Sequence, residues 1–192
     1  MAISTIRRPF LPAALALAIG CAAPALAAAQ EPGTSVDSCA MLTDAQVSAV
    51  MGKPVEPGRH LDNGPTEDGS YSTTCLWVAA LPAGVEPDDS KPLGGRNFAI
   101  LNVQNWVGGA SAANHFLDSF MKAFEEHEIP SKPVSVSVGA DDAIWWGDGV
   151  AARKDGISFG VSVVHDGDAA ERKPKAESLA RQIVQWLEKR PV

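Results

Sequence analysis

Residues 133–164 read PVSVSVGADDAIWWGDGVAARKDGISFGVSVV. Three short runs in this stretch have strand character. Val134, Val136 and Val138 alternate with serines. Ala143 to Trp146 follows a Gly-Ala-Asp-Asp turn. Ile157, Phe159, Val161 and Val163 alternate with Ser158, Gly160 and Ser162. Alternation with a period of two, bounded by turn residues, predicts a meander with one face buried.

The neighbouring segments supply what such a face must be covered with. Ala113, Phe116, Leu117, Phe120, Met121 and Phe124 make one wide apolar stripe at helical spacing, with Ser111 as the expected cap. Ala176, Leu179, Ala180, Ile183, Val184 and Leu187 make a second, in a helix expected to begin near Lys173-Pro174. A shorter helix is predicted over Ala45–Met51. Thr43 stands at its N-cap, Gln46 at the capping-box position, and Gly52 and Pro54 stop it.

Val55–Gly69 reads as an irregular strand and loop. In Tyr71–Ala79, Tyr71, Thr73, Cys75 and Trp77 share one face. Leu81–Arg96, rich in Pro and Gly, reads as a long surface loop. Asn97–Trp106 is apolar on both faces, as expected of a central strand. Together these segments predict an α+β domain: an antiparallel sheet of five to six strands with two long helices and one short helix packed on it.

The first 29 residues read as an export signal. Arg7 and Arg8 are followed by a short apolar run, and Ala25-Leu26-Ala27 and Ala27-Ala28-Ala29 offer small-x-small cleavage sites. An alternative processing point is Ala18-Ile19-Gly20-Cys21, which resembles a lipobox and would make Cys21 a lipidated N-terminus. Either way the mature chain is expected in the periplasm or outside the cell, with membrane anchoring through Cys21 in the second case.

Removing the first 29 of 192 residues leaves 163, enough for one domain over residues 39–192 behind a flexible lead-in at 30–38. Losing Arg7 and Arg8 takes the net charge from −7 to −9. No basic stripe is present, which argues against nucleic acid or anionic lipid as partners, and no later apolar run reaches membrane-spanning length. Cys39 and Cys75 remain as an even pair. In an oxidising compartment they would form a disulfide; the alternative is two buried free thiols.

The short chemical motifs in the chain sit in surroundings that give them plainer roles. Gly156-Ile157-Ser158-Phe159-Gly160 matches G-x-S-x-G. A nucleophile elbow needs a sharp strand-to-helix turn, whereas Ser158 lies within an alternating strand and reads as a solvent-side serine. Ser119-Phe120-Met121-Lys122 matches S-x-x-K in mid-helix, without companion motifs. His60, His115, His127 and His165 form no metal-binding spacing, and each of the turn aspartates Asp141, Asp142, Asp148, Asp155, Asp166 and Asp168 is explained by its turn. No catalytic set, metal or cofactor is assigned.

Trp145 and Trp146 must point to opposite faces of a strand. Either helices cover both faces and both rings are structural, or one is an exposed anchor for a partner or ligand.

The run Ser38-Cys39-Ala40-Met41-Leu42-Thr43-Asp44-Ala45-Gln46-Val47, then Met51-Gly52-Lys53-Pro54-Val55, then Cys75-Leu76-Trp77, resembles small exported bacterial domains of uncharacterised function, many of them lipoproteins. Gly139-Ala140-Asp141-Asp142-Ala143-Ile144-Trp145 resembles their Gly-x-Gly-Asp-x-Ala-x-Trp turn, with Ala140-Asp141 in place of the usual Gly. The resemblance implies an exported α+β sandwich of the Mog1/PsbP type and a cysteine pair, and it implies no reaction.

The functional expectation is a non-enzymatic cell-envelope module binding a protein or small ligand. Its expected surface lies around Trp145, Trp146, Asp141 and Asp142 and the Leu81–Arg96 loop. The alternatives are a small hydrolase using His60 or His165, and a purely structural or inhibitory envelope protein.

Overall fold

In a computed structural model, which describes residues 34–165 and 168–190, the chain forms a seven-stranded antiparallel sheet with three helices. The α+β expectation holds, with seven strands rather than five to six. The elements are α1 (Asp44–Met51), β1 (Arg59–Pro65), β2 (Ser70–Val78), β3 (Phe98–Trp106), α2 (Ala110–Glu125), β4 (Val134–Ser135), β5 (Asp142–Trp145), β6 (Gly149–Lys154), β7 (Ile157–Val164) and α3 (Ala169–Lys189). The export signal and Cys21 lie outside the described residues.

The sheet order is β1-β2-β3-β7-β6-β5-β4. It is two meanders, β1-β2-β3 and β4-β5-β6-β7, joined where β3 pairs with β7 in the register Leu101↔Val161 and Val103↔Phe159. α2 carries the chain from one meander to the other.

The extra strand is β6. Gly149, Val150, Ala151 and Ala152 are all buried, so its two faces differ little and the sequence shows no alternation there. Conversely, only Val134 and Ser135 of the first valine run pair in the sheet. Val136 donates its amide to the Ala143 carbonyl at 3.0 Å and Val138 is buried, so the run still serves the core.

One sheet face makes the main core. Trp77, Leu101, Val103, Val150, Phe159, Val161 and Val163 meet Ala176, Leu179, Ala180, Ile183 and Val184 of α3, with Val47 and Met51 of α1 beside them. Five of the six α3 stripe residues are sealed, four of them 0% exposed and Val184 2%, while Leu187 near the helix end is partly buried. Each large side chain so buried contributes about 1.5–3 kcal/mol.

Local signals set the helix ends. At α1 the Thr43 hydroxyl accepts from the Gln46 amide, the Gln46 side chain accepts from the Thr43 amide, and Gly52 closes the helix at φ 75°. α3 begins before the expected Lys173-Pro174. The Asp168 carboxylate accepts from the Glu171 amide at 3.0 Å and caps the helix, leaving Pro174 inside its second turn. α2 starts at Ala110 behind Gly109, not at a Ser111 cap.

Cys39 and Cys75 form a disulfide with Cα atoms 5.1 Å apart. It fastens the 3₁₀ turn Ser38–Met41 to β2. Residues 34–38, expected within a flexible lead-in, are also tied down. Val36 is buried and its carbonyl accepts from Thr73 Oγ1 at 2.7 Å, while the Thr34 carbonyl accepts from Asn105 Nδ2 at 2.9 Å. Among the described residues no helix is long and apolar enough to cross a membrane.

Candidate functional site

The second face of the sheet is built differently. In β7 the residues alternating with the core set are Ser158, Gly160 and Ser162, and in β3 they include Asn102 and Gln104. Ser72 of β2 stands opposite Gln104 and Thr74 opposite Asn102. This patch of the face is polar, although Ile100 and Trp106 of β3 and Ala151 of β6 border it, and the chain's most regular apolar helix, α2, lies across β6, β3 and β7 on this side.

The mismatch leaves α2 half covered. Ala113 and Leu117 are buried, but Phe116, Phe120, Met121 and Phe124 are only partly so. The Phe116 ring comes close to the backbone of Gly160: a Cβ there would lie 3.7 Å from Phe116 Cζ. Phe116 and Phe120 meet edge to face with centroids 5.4 Å apart, and Phe120 meets Trp146 at 5.6 Å.

A cleft of about 270 Å³ opens between helix and sheet, lined by Ser72, Asn102, Gln104, Phe116, Phe120, Trp146, Gly160 and Ser162. Three aromatic rings form its wall. Amides and hydroxyls form its floor. None of the lining residues carries a formal charge.

The floor is partly wired. Asn63 Nδ2 donates to Ser72 Oγ at 3.2 Å and to Thr74 Oγ1 at 2.9 Å, and Thr74 Oγ1 donates to Asn102 Oδ1 at 2.7 Å. Gln104 is not: its Oε1 is closed from solvent and has no hydrogen-bond partner. An unpaired buried acceptor costs about 1–3 kcal/mol. Gln104 itself lines the cleft, and the terminal torsion of a Gln side chain is broad.

Of the surface expected to bind, Trp146 lines this cleft, and Trp145, Asp141 and Asp142 do not. Trp145 turns into the main core at 8% exposure. Asp141 is committed to the β6–β7 turn: it accepts from the Asp155 amide at 2.7 Å and pairs with Lys154 Nζ at 3.4 Å. Asp142 is exposed opposite Arg153.

The Leu81–Arg96 loop borders a separate cavity of about 600 Å³ that shares no residue with the cleft. Three of its charged lining side chains, Asp88, Lys91 and Arg96, are paired within the protein. Arg96 pairs with Glu56 and donates from Nε to the Leu93 carbonyl at 3.0 Å, and Asp88 is held by Ser90 and Lys91. The Ser90 hydroxyl and amide keep the Asp88 carboxyl below the ordinary carboxylate range.

Among the described residues, Ser158, Ser119 and His60 do not assemble into a catalytic set. Ser158 is the second residue of β7 and fully buried, not on the solvent side, and its Oγ accepts from Trp106 Nε1 at 2.7 Å. Ser119 is exposed on α2, with its hydroxyl bonded back to the Phe116 carbonyl at 2.7 Å. His60 does meet Asp37 and Ser38, at 3.2 and 3.4 Å, but both reach the same ring atom, Nδ1. A nucleophile–base–acid relay requires the serine and the carboxylate on opposite ring nitrogens. Cys39 completes a cluster with Asp37 and His60, but its sulfur is already bound to Cys75 and is no thiolate ligand.

No protein-family model, curated protein or solved structure matches this chain.

Proposed function

We propose that this chain is an exported cell-envelope domain that holds a ligand without transforming it, in the cleft between α2 and the polar face of the sheet. One observation carries the reading. Four of the six stripe residues of α2 are left partly open over a floor of amides and hydroxyls, whereas five of the six of α3 are sealed to 0–2% exposure. A helix that served packing alone would be expected to close as α3 does. Three further features support the reading: concave shape, aromatic walls and a few polar groups at fixed positions, as in small-molecule sites generally.

Export is supported by the leader-like first 29 residues and by the disulfide, a bond that persists in oxidising compartments.

The test is a thermal-shift screen of chemically diverse small compounds against the wild type and Asn102→Trp. Asn102 is exposed on the floor, so an indole there fills the cleft without entering the core. A ligand of the cleft raises the wild-type Tm by mass action and leaves the variant unmoved. Compounds that stabilise both proteins equally, or a diverse screen without a stabilising compound, would overturn the proposal.

A further inference from the structure

We infer that the ligand of this cleft is a neutral saccharide, one hexose or N-acetylhexosamine ring at a time, held with its C–H face on the aromatic wall and its hydroxyl or acetamido edge on the sheet. The inference rests on the binding function proposed above and adds the chemical class.

Charge is the first discriminant. The chain carries 39 charged side chains, 16 basic and 23 acidic, yet none lines the cleft. A charged ligand would lose hydration there and meet no counter-charge. Phosphates, carboxylates, amines and metal ions are therefore poor occupants.

The second discriminant is the two-sidedness of the lining. Phe116, Phe120 and Trp146 present a continuous aromatic surface, while Ser72, Asn102, Gln104 and Ser162 present donors and acceptors from three adjacent strands. Neighbouring strands are about 4.8 Å apart, the scale on which hydroxyls are spaced around a pyranose ring. A hydrocarbon chain would satisfy the wall and strand the floor, leaving the Gln104 oxygen unpaired as it is now. An extended peptide would need a free strand edge to pair with. The floor belongs to β2, β3 and β7, all interior to the sheet, so no edge is within the cleft. A sugar ring meets both surfaces at once: axial C–H groups against the rings, equatorial O–H or acetamido N–H groups toward Gln104 and Asn102.

The third is size. At about 270 Å³ the cleft is just below the ordinary range of about 300–1,000 Å³ for ligand pockets. It suits one ring with neighbouring residues of an oligosaccharide running out past Trp146.

The experiment is calorimetric titration of the full mature chain with cellobiose, maltose and chitobiose as neutral probes, and with glucuronic acid and glucosamine as charged ones. Two variants accompany the wild type. Trp146→Ala removes the outer ring of the wall. Asn102→Asp is isosteric, exposed and adds a charge to the floor. At least one neutral probe is expected to bind saturably with Kd in the micromolar-to-millimolar range. Its affinity should fall about tenfold in Trp146→Ala, the upper end of what one aromatic contact is worth, and change in Asn102→Asp. The charged probes should not bind measurably.

If no saccharide binds while another compound stabilises the wild type but not Asn102→Trp, the saccharide assignment fails and the binding function stands. If neither saccharide nor compound engages the cleft, both fail. A saccharide that binds all three proteins alike is elsewhere on the surface and equally refutes the inference.

Discussion

Reducing the Cys39–Cys75 bond should be the largest single perturbation of stability that leaves every side chain in place. The bond spans 36 residues. In the chain-entropy treatment a loop of that length restricts the unfolded state by about 13 cal/mol/K, which is about 3.8 kcal/mol at 25 °C. A domain of this size has about 5–15 kcal/mol in all. The bond also fixes the turn Ser38–Met41, whose Ser38, Met41 and neighbouring Leu42 are at most 2% exposed, so its loss should not be confined to a surface loop. For a domain of about 150–250 residues each kcal/mol moves Tm by about 2–4 °C, giving a drop of about 8–15 °C.

The assay is urea unfolding of the oxidised chain beside the same chain in excess dithiothreitol, with Cys39→Ala/Cys75→Ala as a third sample. The reduced chain should unfold at a lower midpoint with a steeper m value, because its unfolded state expands. The variant should fall somewhat lower still, since Cys75 is fully buried and its sulfur fills space beside Gly58 and Trp77. Coincident oxidised and reduced curves would refute the reasoning, as would free thiols titrating in the untreated unfolded chain when it begins at Gln30 and so lacks Cys21.

Other outcomes follow from particular contacts. Ile183→Ala in the sealed α3 should lose about 2–5 kcal/mol, and Phe120→Ala in the half-open α2 clearly less than the 3–5 kcal/mol usual for a buried Phe; equal urea-midpoint losses would mean that α2 is packed like α3. Asp44 Oδ1 accepts from Trp77 Nε1 at 3.0 Å and from the Gly58 amide at 3.1 Å. Asp44→Ala strands both donors and should cost about 1–3 kcal/mol by thermal melt, while Asp44→Asn, which keeps the oxygen, should recover most of it. Burial pushes the Asp68 carboxyl up, but hydrogen bonds from Thr66 and Ser70 outweigh it and hold it below its ordinary range. A depressed carboxyl stabilises the folded state above its unfolded pKa, and that contribution is lost as pH falls through the folded value. Asp68→Asn should therefore flatten the acid limb of a stability–pH curve and leave its slope at neutral pH unchanged; an unchanged acid limb would count against the turn network.

The sequence carried the framework where one face is buried and the other is not. Val47 and Met51 of α1, the α3 stripe and the alternation in β7 all lie where periodicity placed them. It failed where that contrast vanishes. β6 is buried on both faces and ends in Arg153 and Lys154, so Val150-Ala151-Ala152 gave no period to read. The start of α3 was hidden by Pro174, although Asp168 and Glu171 stand at capping spacing. Period two did require that Trp145 and Trp146 part company, and they do: one enters the core and the other meets Phe120.

The cleft was out of reach for a different reason. Ser72, Asn102, Gln104 and Ser162 come from three strands far apart in the chain, and only the register of β2, β3 and β7 brings them together. A faint signal existed in the Ser158, Gly160 and Ser162 alternation, a small and polar face that reads as solvent-facing. Nothing local says that the apolar stripe of α2 must lie over it.

The most direct measurement is nuclear magnetic resonance of the isotope-labelled chain from Gln30 onward during titration with chitobiose, following the side-chain amide signals of Asn102 and Gln104 and the indole N–H of Trp146. All three should move together along one saturation curve, while the indole signals of Trp77 and Trp145 in the main core stay still. Stationary floor and wall signals, with shifts confined to the Leu81–Arg96 loop or to other surfaces, would contradict binding in the cleft.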